Sequence, residues 1–146
     1  MNELNLETAR GVYKEARSGS EPAQGKGPGP ALMGATTLVG DEVCNQGGER
    51  LGELKEIMLD VRSGRVAYAV LSSGGVLGLG SKLFAVPWRA LRLDTGNKRL
   101  VLDVHKELVE TAPGFDPDRW PDMEEPNWAN QIHSYYRTKP YYDRPL

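Results

Sequence analysis

The stretch VAYAVLSS at residues 66–73 decides the fold class. It is nearly all apolar until its last two residues. As an extended strand it would place large and small side chains on separate faces: Val66, Tyr68 and Val70 on one, and Ala67, Ala69 and Leu71 on the other. A strand of this kind is typical of a sheet that is covered on both sides. The sequence therefore predicts a buried central strand.

The residues before this strand predict its partner. RSGR at residues 62–65 is a tight hairpin signal, and LGELKEIMLDV at residues 51–61 supplies the preceding strand. Lys55 and Glu56 disturb strict alternation in that strand, because Leu54 and Ile57 lie an odd number of residues apart. A β-bulge there would restore the pattern.

Further short strands flank the hairpin on both sides. We assign TTLVGDEVCN (residues 36–45), FAVPW (84–88), the segment with Leu91 and Leu93, and RLVLDV (99–104), which follows the turn DTGNK. Five or six short strands with glycine-rich turns favour a small, closed or half-closed antiparallel barrel. The predicted class is mainly β.

Two segments outside the barrel differ in composition. In residues 1–30, apolar residues at helical spacing (Leu6, Ala9, Val12 and Ala16) precede the linker SGSEPAQGKGPGP. We interpret this flexible N-terminal arm either as a solvent-facing leader or as a segment that docks on a partner. The barrel is assigned to residues 31–112, and 113–146 form an aromatic-rich C-terminal extension with short helices, one capped by Asn127.

Composition and charge exclude several classes of protein. The net charge is −2, and residues 31–112 carry ten basic and ten acidic side chains, so nucleic acid is disfavoured as the main ligand. A single cysteine excludes an internal disulfide bond. The first residues lack the pattern of a secretory signal, and no apolar run approaches the ~18–20 residues of a membrane span. We therefore expect a cytoplasmic protein.

The glycine-rich stretch SSGGVLGLGSKLFAVPW, residues 72–88, has two interpretations: a phosphate-binding loop or a connection between strands. Gly75, Gly78 and Gly80 spell G-x-x-G-x-G, the reverse of the dinucleotide fingerprint. The residues that follow are strand-like and contain Pro87, so no helix N-terminus faces the loop. We favour a structural loop that presents Leu77, Leu79 and Leu83 as a contact surface.

No motif points to catalysis. His105 and His133 lie 28 residues apart without ligands at metal-binding spacing, so we expect ordinary surface or capping residues. Cys44, without a neighbouring histidine, is interpreted as a packed or idle thiol. There is no G-x-S-x-G elbow. The prediction is a protein that is not an enzyme, with no catalytic, metal-binding or cofactor-binding residues and no cofactor.

The C-terminal extension is rich in aromatic residues that need cover. It lies either across its own barrel or on a twin subunit or another protein. The set of candidate interface residues is Leu77, Leu79, Leu83, Trp120, Trp128, Ile132, Tyr135 and Tyr136.

The stretches GDEVCNQGGERLGELKEIMLDVRSGRVAYAVLSSGG (residues 40–75) and FAVPWRALRLD (84–94) resemble the PRC-barrel family. This small β-barrel is shared by the cytoplasmic part of the photosynthetic reaction-centre H subunit and a ribosome maturation factor. KELVETAPGFDPDRWPDM is similar to the extension of stand-alone bacterial members. The resemblance implies a docking module for membrane proteins or ribosomal protein, and it brings no catalytic residue.

The leading functional hypothesis is a protein–protein docking module, with a homodimer and another protein of unknown identity as partners. Although the chain shows no membrane span, a membrane-protein partner fits this hypothesis. One alternative is an RNA- or ribosome-associated assembly factor. A second is a small-ligand binder that uses the barrel mouth near the glycine loop.

Overall fold

A computed structural model describes residues 32–73, 82–94, 96–97 and 99–143. The predicted N-terminal arm lies outside the described residues, as does the glycine loop from 74 to 81. The elements are α1 (Ala35–Leu38), β1 (Glu42–Cys44), β2 (Arg50–Asp60), β3 (Arg65–Ser72), β4 (Leu83–Pro87), β5 (Leu91–Asp94), β6 (Arg99–Leu102), α2 (Lys106–Glu110) and α3 (Pro126–Tyr135). Single 3₁₀ turns occur at Trp88–Ala90 and Tyr141–Asp143.

The six strands form one sheet in the order β4-β3-β2-β1-β6-β5, which confirms the predicted mainly β class. Two finer predictions need correction. The sheet is mixed, because β1 and β6 run parallel, and it is not closed, because no ladder joins the edge strands β4 and β5 within the described residues. The cause lies in the connection between these edges: a 3₁₀ turn at Trp88–Ala90 replaces a hairpin there. Alternation along a strand does not encode strand direction.

The central hairpin is confirmed. Strands β2 and β3 pair antiparallel from Glu53↔Ser72 to Asp60↔Arg65, and the turn between them ends at Gly64, with φ of 80°. The register shifts between Leu54 and Glu56, as predicted, and again between Met58 and Leu59. These irregularities let the buried Leu51 and Leu54 in the first half of the strand and the partly buried Ile57 and Met58 in the second half pack against the core.

Residues 36–38, at the start of a segment predicted as strand, are instead helical. A single turn, α1, buries Leu38, and Gly40 follows with φ of 102°. The Gly40 N–H then donates to the Leu54 carbonyl at 2.7 Å, and the Leu54 N–H donates to the Asp41 carbonyl at 2.9 Å. Tertiary pairing with β2 therefore begins only at this glycine, and it overrides the local strand preference of the threonines.

Strand β3 lies at the centre of the core. The five residues from Ala67 to Leu71 are all buried, which confirms that both faces of the strand are covered. Val43 and Leu54 from the neighbouring strands are fully buried in the same cluster. The separation of large and small side chains in the sequence thus marked the strand that the sheet is built around.

The C-terminal extension covers the outer edge of β4. Leu83 and Phe115 exchange backbone hydrogen bonds of 2.9 and 2.8 Å. Gly114 lies so close to β4 that a Cβ there would stand 2.8 Å from the Phe84 ring. The missing side chain at Gly114 therefore allows the extension to pair with an edge that would otherwise be open.

Helix α3 carries the extension across the sheet. Pro126 begins the helix, and the Glu125 side chain caps it by accepting from the Trp128 N–H at 2.9 Å. Asn127, the predicted cap, lies inside the first turn, because a proline at the first helical position places the cap one residue before it. Ile132 is 1% exposed, so the helix packs this residue into the core. Within the described residues, no helix is both long enough and apolar enough to span a bilayer.

The turn between β5 and β6 is organised by one carboxylate. Asp94 accepts hydrogen bonds from the Asn97 side chain at 2.9 Å and from the Arg99 side chain at 3.2 Å. The Asn97 side-chain bond is the main reason why the pKa of Asp94 lies below its usual range, and Arg99 adds to it. The ionised carboxylate thus stabilises the folded state.

We expect Asp94→Asn to lower the free energy of unfolding by about 1 kcal/mol at neutral pH. A depressed folded-state pKa contributes stability above the unfolded pKa of about 3.9, and this contribution is lost as the pH falls through the folded value. Urea titrations from about pH 7 down to about pH 3 should therefore show wild type and variant converging at the acidic end. The control is Asp103→Asn, because Asp103 is exposed. If the difference in unfolding free energy between wild type and Asp94→Asn stayed constant with pH, the lowered pKa of Asp94 would be contradicted.

Candidate functional site

The structure places the predicted interface residues in three environments. Leu77 and Leu79 lie outside the described residues. Leu83, Ile132 and Tyr136 are buried within the chain, at 4, 1 and 8% exposure, so in this arrangement they do not reach a partner. They are buried because the extension packs on its own sheet, which is one of the two arrangements that the sequence left open.

The other three predicted residues are more accessible. Trp120 is 41% exposed and its ring stacks edge-on against Phe115, with centroids 5.0 Å apart. Trp128 and Tyr135 are half-buried on α3. Their placement in an interface stays a prediction, but the structure shows that Trp128 holds the extension to the sheet.

An aromatic cluster forms where α3 crosses β3. The rings of Trp128 and Tyr141 meet Tyr68 edge-on, with centroids 5.2 and 5.9 Å away. The Tyr68 hydroxyl lies 3.3 Å from His133 Nε2, and His133 Nδ1 lies 2.9 Å from the Thr138 hydroxyl. Burial raises the pKa of Tyr68, so its hydroxyl stays protonated. These contacts hold the extension against the sheet.

His133 corrects an expectation from the sequence. It was predicted to be a surface or capping residue and is 2% exposed, because α3 presses it against Tyr68. His105, in contrast, is exposed immediately before α2. The described residues contain no group of histidine, cysteine and carboxylate side chains arranged to hold a metal ion.

The adjacent residues Tyr135 and Tyr136 differ in how their hydroxyls are satisfied. The Tyr135 hydroxyl donates to the Leu108 carbonyl at 2.6 Å and lies 3.2 Å from the Thr111 hydroxyl. The Tyr136 hydroxyl is buried without a hydrogen-bond partner among the described residues, and burial raises its pKa. The same functional group is therefore stabilising at one position and costly at the next.

We expect the two Tyr→Phe substitutions to have opposite signs. Tyr135→Phe should lower the free energy of unfolding by about 1–2 kcal/mol, because it leaves a carbonyl without its donor. Tyr136→Phe should raise it by about 1 kcal/mol, because it removes an unsatisfied polar atom. Urea unfolding followed by circular dichroism measures both, and each variant serves as the other's control. Equal losses in the two would contradict the hydrogen-bond assignment.

Cys44 ends β1 and is 2% exposed. Burial is the main cause of a raised pKa for its thiol, and the nearby Glu42 carboxylate adds to it. Reactive cysteines have the opposite property, a lowered pKa in an accessible and electropositive place. The thiol is packed, as the sequence indicated.

An apolar patch lies at the turn end of the central hairpin. Leu59, Val61 and Tyr142 are 53, 83 and 51% exposed. We call these three residues the hairpin-end patch. They are three of the five large hydrophobic residues that stand exposed in the described part of the chain. Such clustering is typical of interaction surfaces, whereas single exposed apolar residues are ordinary.

A cavity of about 160 Å³ opens beside the patch. The end of the hairpin, residues 58–62, forms one wall, and Met123, Glu124 and Tyr141 of the extension form the opposite wall. Tyr142 adjoins it, because its ring stacks edge-on against Tyr141 with centroids 5.2 Å apart. The hairpin and the extension thus build this site together.

Charges of both signs surround the cavity. The Ser63 hydroxyl hydrogen bond is the main cause of a lowered pKa for Asp60. Burial first, and then the Asp60 carboxylate, raise the pKa of Tyr141. Arg62 is 78% exposed in its side chain and lies 3.7 Å from Asp60. The patch therefore presents mixed charge around an apolar centre.

No sequence motif marks this patch. The available signal was an apolar residue, Val61, next to a turn that otherwise contains polar residues. Leu59 gave no signal of its own, because it continues an apolar strand. The second wall, formed from residues more than 60 positions later, has no trace in the local pattern.

Two other cavities have mixed linings. One of about 320 Å³ lies beside Arg50, Ser73 and Lys106, and one of about 450 Å³ lies beside His105 and Arg137. Arg50 is already paired with Glu42 at 3.4 Å. Neither lining combines a nucleophile with a hydrogen-bonded base, which is the arrangement that covalent catalysis needs.

Comparison with known proteins supports the family resemblance of the sequence. The family model of the PRC-barrel domain matches residues 31–109, which is more than half of the chain. No curated protein matches the sequence. Since the match spans all six strands and α2 except its last residue, the chain belongs to the PRC-barrel domain family.

Proposed function

We propose that this protein is a docking module that binds other protein chains and catalyses no reaction. The observation that carries the proposal is the hairpin-end patch, where Leu59, Val61 and Tyr142 are exposed together beside a cavity. Exposing these side chains to water is unfavourable, and a partner that covers them would gain about 25 cal/mol for each Å² of apolar surface removed from water.

The position of the extension supports this proposal. Arg65 donates from its guanidinium to the Tyr141 carbonyl at 2.9 Å, and Arg89 donates to the Lys139 carbonyl at 3.0 Å. These bonds fix the extension to the sheet, so one wall of the cavity is held in place before a partner arrives. A preformed surface loses less entropy on binding.

The nucleic-acid alternative gains no observation of its own. A nucleic-acid partner would be favoured by clustered Lys and Arg. The cavity is instead lined by the acidic Asp60 and Glu124 together with Arg62.

A cytoplasmic location is part of the proposal, because the buried thiol of Cys44 suits a reducing compartment.

Site-specific photo-crosslinking tests the proposal. A photoreactive phenylalanine analogue replaces Val61 in the full chain, and the same analogue replaces Lys82 as the control. Lys82 is exposed, but it lies at the opposite end of the hairpin. We expect a discrete protein adduct from position 61, either with a second copy of this chain or with another protein. Adding an excess of the protein without the photoreactive residue should suppress this adduct. Adducts of equal yield at both positions, or adducts with nucleic acid, would overturn the proposal.

A further inference from the structure

Charged side chains stand on both walls of the hairpin-end cavity. Arg62 stands on the hairpin wall, and within the described residues its ion pair is with Asp60, 3.7 Å away on the same wall. Glu124 is an exposed carboxylate on the extension wall. Arg62 with Asp60 on the hairpin, and Glu124 on the extension, thus line a single depression.

This arrangement is complementary to itself. A two-fold axis brings the same patch of two subunits together, so that each wall meets the other wall of the second copy. The hairpin wall with Arg62 would meet the extension wall with Glu124, and the pair would occur twice. A patch of one sign would repel its own copy instead.

The apolar residues fit the same geometry. Val61, the most exposed large hydrophobic residue of the described chain at 83%, stands next to Arg62 at the tip of the hairpin. Met123 stands next to Glu124 and lines the cavity with Tyr141. Methionine adapts its shape to an incoming side chain. The contact that joins Arg62 to Glu124 would therefore also bring Val61 to Met123.

We propose that the hairpin-end patch is covered by a second copy of this chain in a two-fold dimer, in which Val61 meets the cavity of the other subunit and Arg62 pairs with its Glu124. This inference rests on the proposed docking function and names its partner. A strongly acidic or strongly basic protein partner is less well matched, because side chains of both signs line the same cavity.

Charge exchange between the walls tests the dimer. In Arg62→Glu, each contact would join two carboxylates, and in Glu124→Arg each would join two guanidinium groups. We expect either variant alone to weaken the dimer at least tenfold in Kd, measured by sedimentation equilibrium at low ionic strength. In an equimolar mixture of the two variants, only the heterodimer brings opposite charges together. The Kd of the mixture should therefore return to within about threefold of the wild-type value.

Matched controls separate the interface from the fold. Lys82→Glu makes the same change of charge as Arg62→Glu at the far end of the hairpin, and should leave Kd unchanged. Val61→Glu should abolish the dimer in both single-variant and mixed samples, because it places a charge in the apolar centre. Val61 is exposed in the single chain, so circular dichroism should show an unchanged fold for this variant.

The outcomes distinguish the inference from the proposed function. A wild-type monomer at about 100 µM, or a dimer whose Kd is unchanged in Arg62→Glu and Val61→Glu, would overturn the two-fold contact. Protein adducts from position 61 in the crosslinking experiment would then still support docking to a different protein. Loss of both the dimer and all adducts would remove the proposed function as well.

Discussion

Trp128→Ala is expected to lower the free energy of unfolding by about 3 kcal/mol, at the lower end of the range for loss of a packed aromatic ring. The indole meets Tyr68 edge-on at 5.2 Å and packs against the core cluster, so its removal leaves a void between α3 and β3. Alanine favours helix by a few tenths of a kcal/mol, which offsets only a small part of the loss.

Urea unfolding followed by far-ultraviolet circular dichroism measures this effect. The transition midpoint should fall while the slope stays constant, because the extension and the sheet share one core and unfold together. Trp120→Ala is the control: Trp120 is 41% exposed and stacks only on Phe115 among the rings described, so we expect a loss of about 1 kcal/mol. Equal effects of the two substitutions would mean that Trp128 does not anchor the extension.

Gly52→Ala is expected to cost about 3 kcal/mol of unfolding free energy or more. A Cβ at this position in β2 would stand 2.4 Å from the Ser72 carbonyl oxygen, which is backbone in the paired strand β3 and has little room to retreat. Alanine also restricts the unfolded chain more than glycine does, which by itself stabilises the folded protein by about 0.4–1 kcal/mol. The clash outweighs this gain, so the net effect is destabilising.

Gly47→Ala is the matched control, because a Cβ there meets its nearest atom, Asn45 Oδ1, at an ordinary 3.6 Å. We expect its unfolding free energy to stay within about 0.5 kcal/mol of wild type. Thermal and urea unfolding compare the pair directly. A Gly52→Ala protein as stable as Gly47→Ala would show that β2 and β3 separate more easily than their pairing indicates.

Much of the fold follows from local pattern. The apolar run around Tyr68 identified the buried strand, and the turn at Gly64 identified the hairpin. The bulge after Leu54 followed from a break in alternation. These features depend on side-chain period and turn chemistry, which neighbouring residues fix. The parallel pairing of β1 with β6 depends on residues about 57 positions apart, and no local pattern records it.

The candidate site was much less predictable. Aromatic composition marked Trp128 and Tyr136 as residues in need of cover, but it did not distinguish cover by their own sheet from cover by a partner. The structure buries Tyr136 internally and leaves Val61, which no motif had marked, 83% exposed. Exposure is a property of what packs over a residue, so it follows from the position of the extension rather than from the residue itself.

The sequence by itself determined that this chain forms a small, mainly β domain with a central buried hairpin and an aromatic extension, because alternation, turns and composition are local properties. Only the tertiary structure decided that the sheet is mixed, that no ladder joins β4 and β5 within the described residues, that the extension packs on its own sheet, and that Arg62 and Glu124 line one cavity. The physical reason is that burial and charge pairing depend on contacts between distant segments, and the free energy of the whole chain selects those contacts.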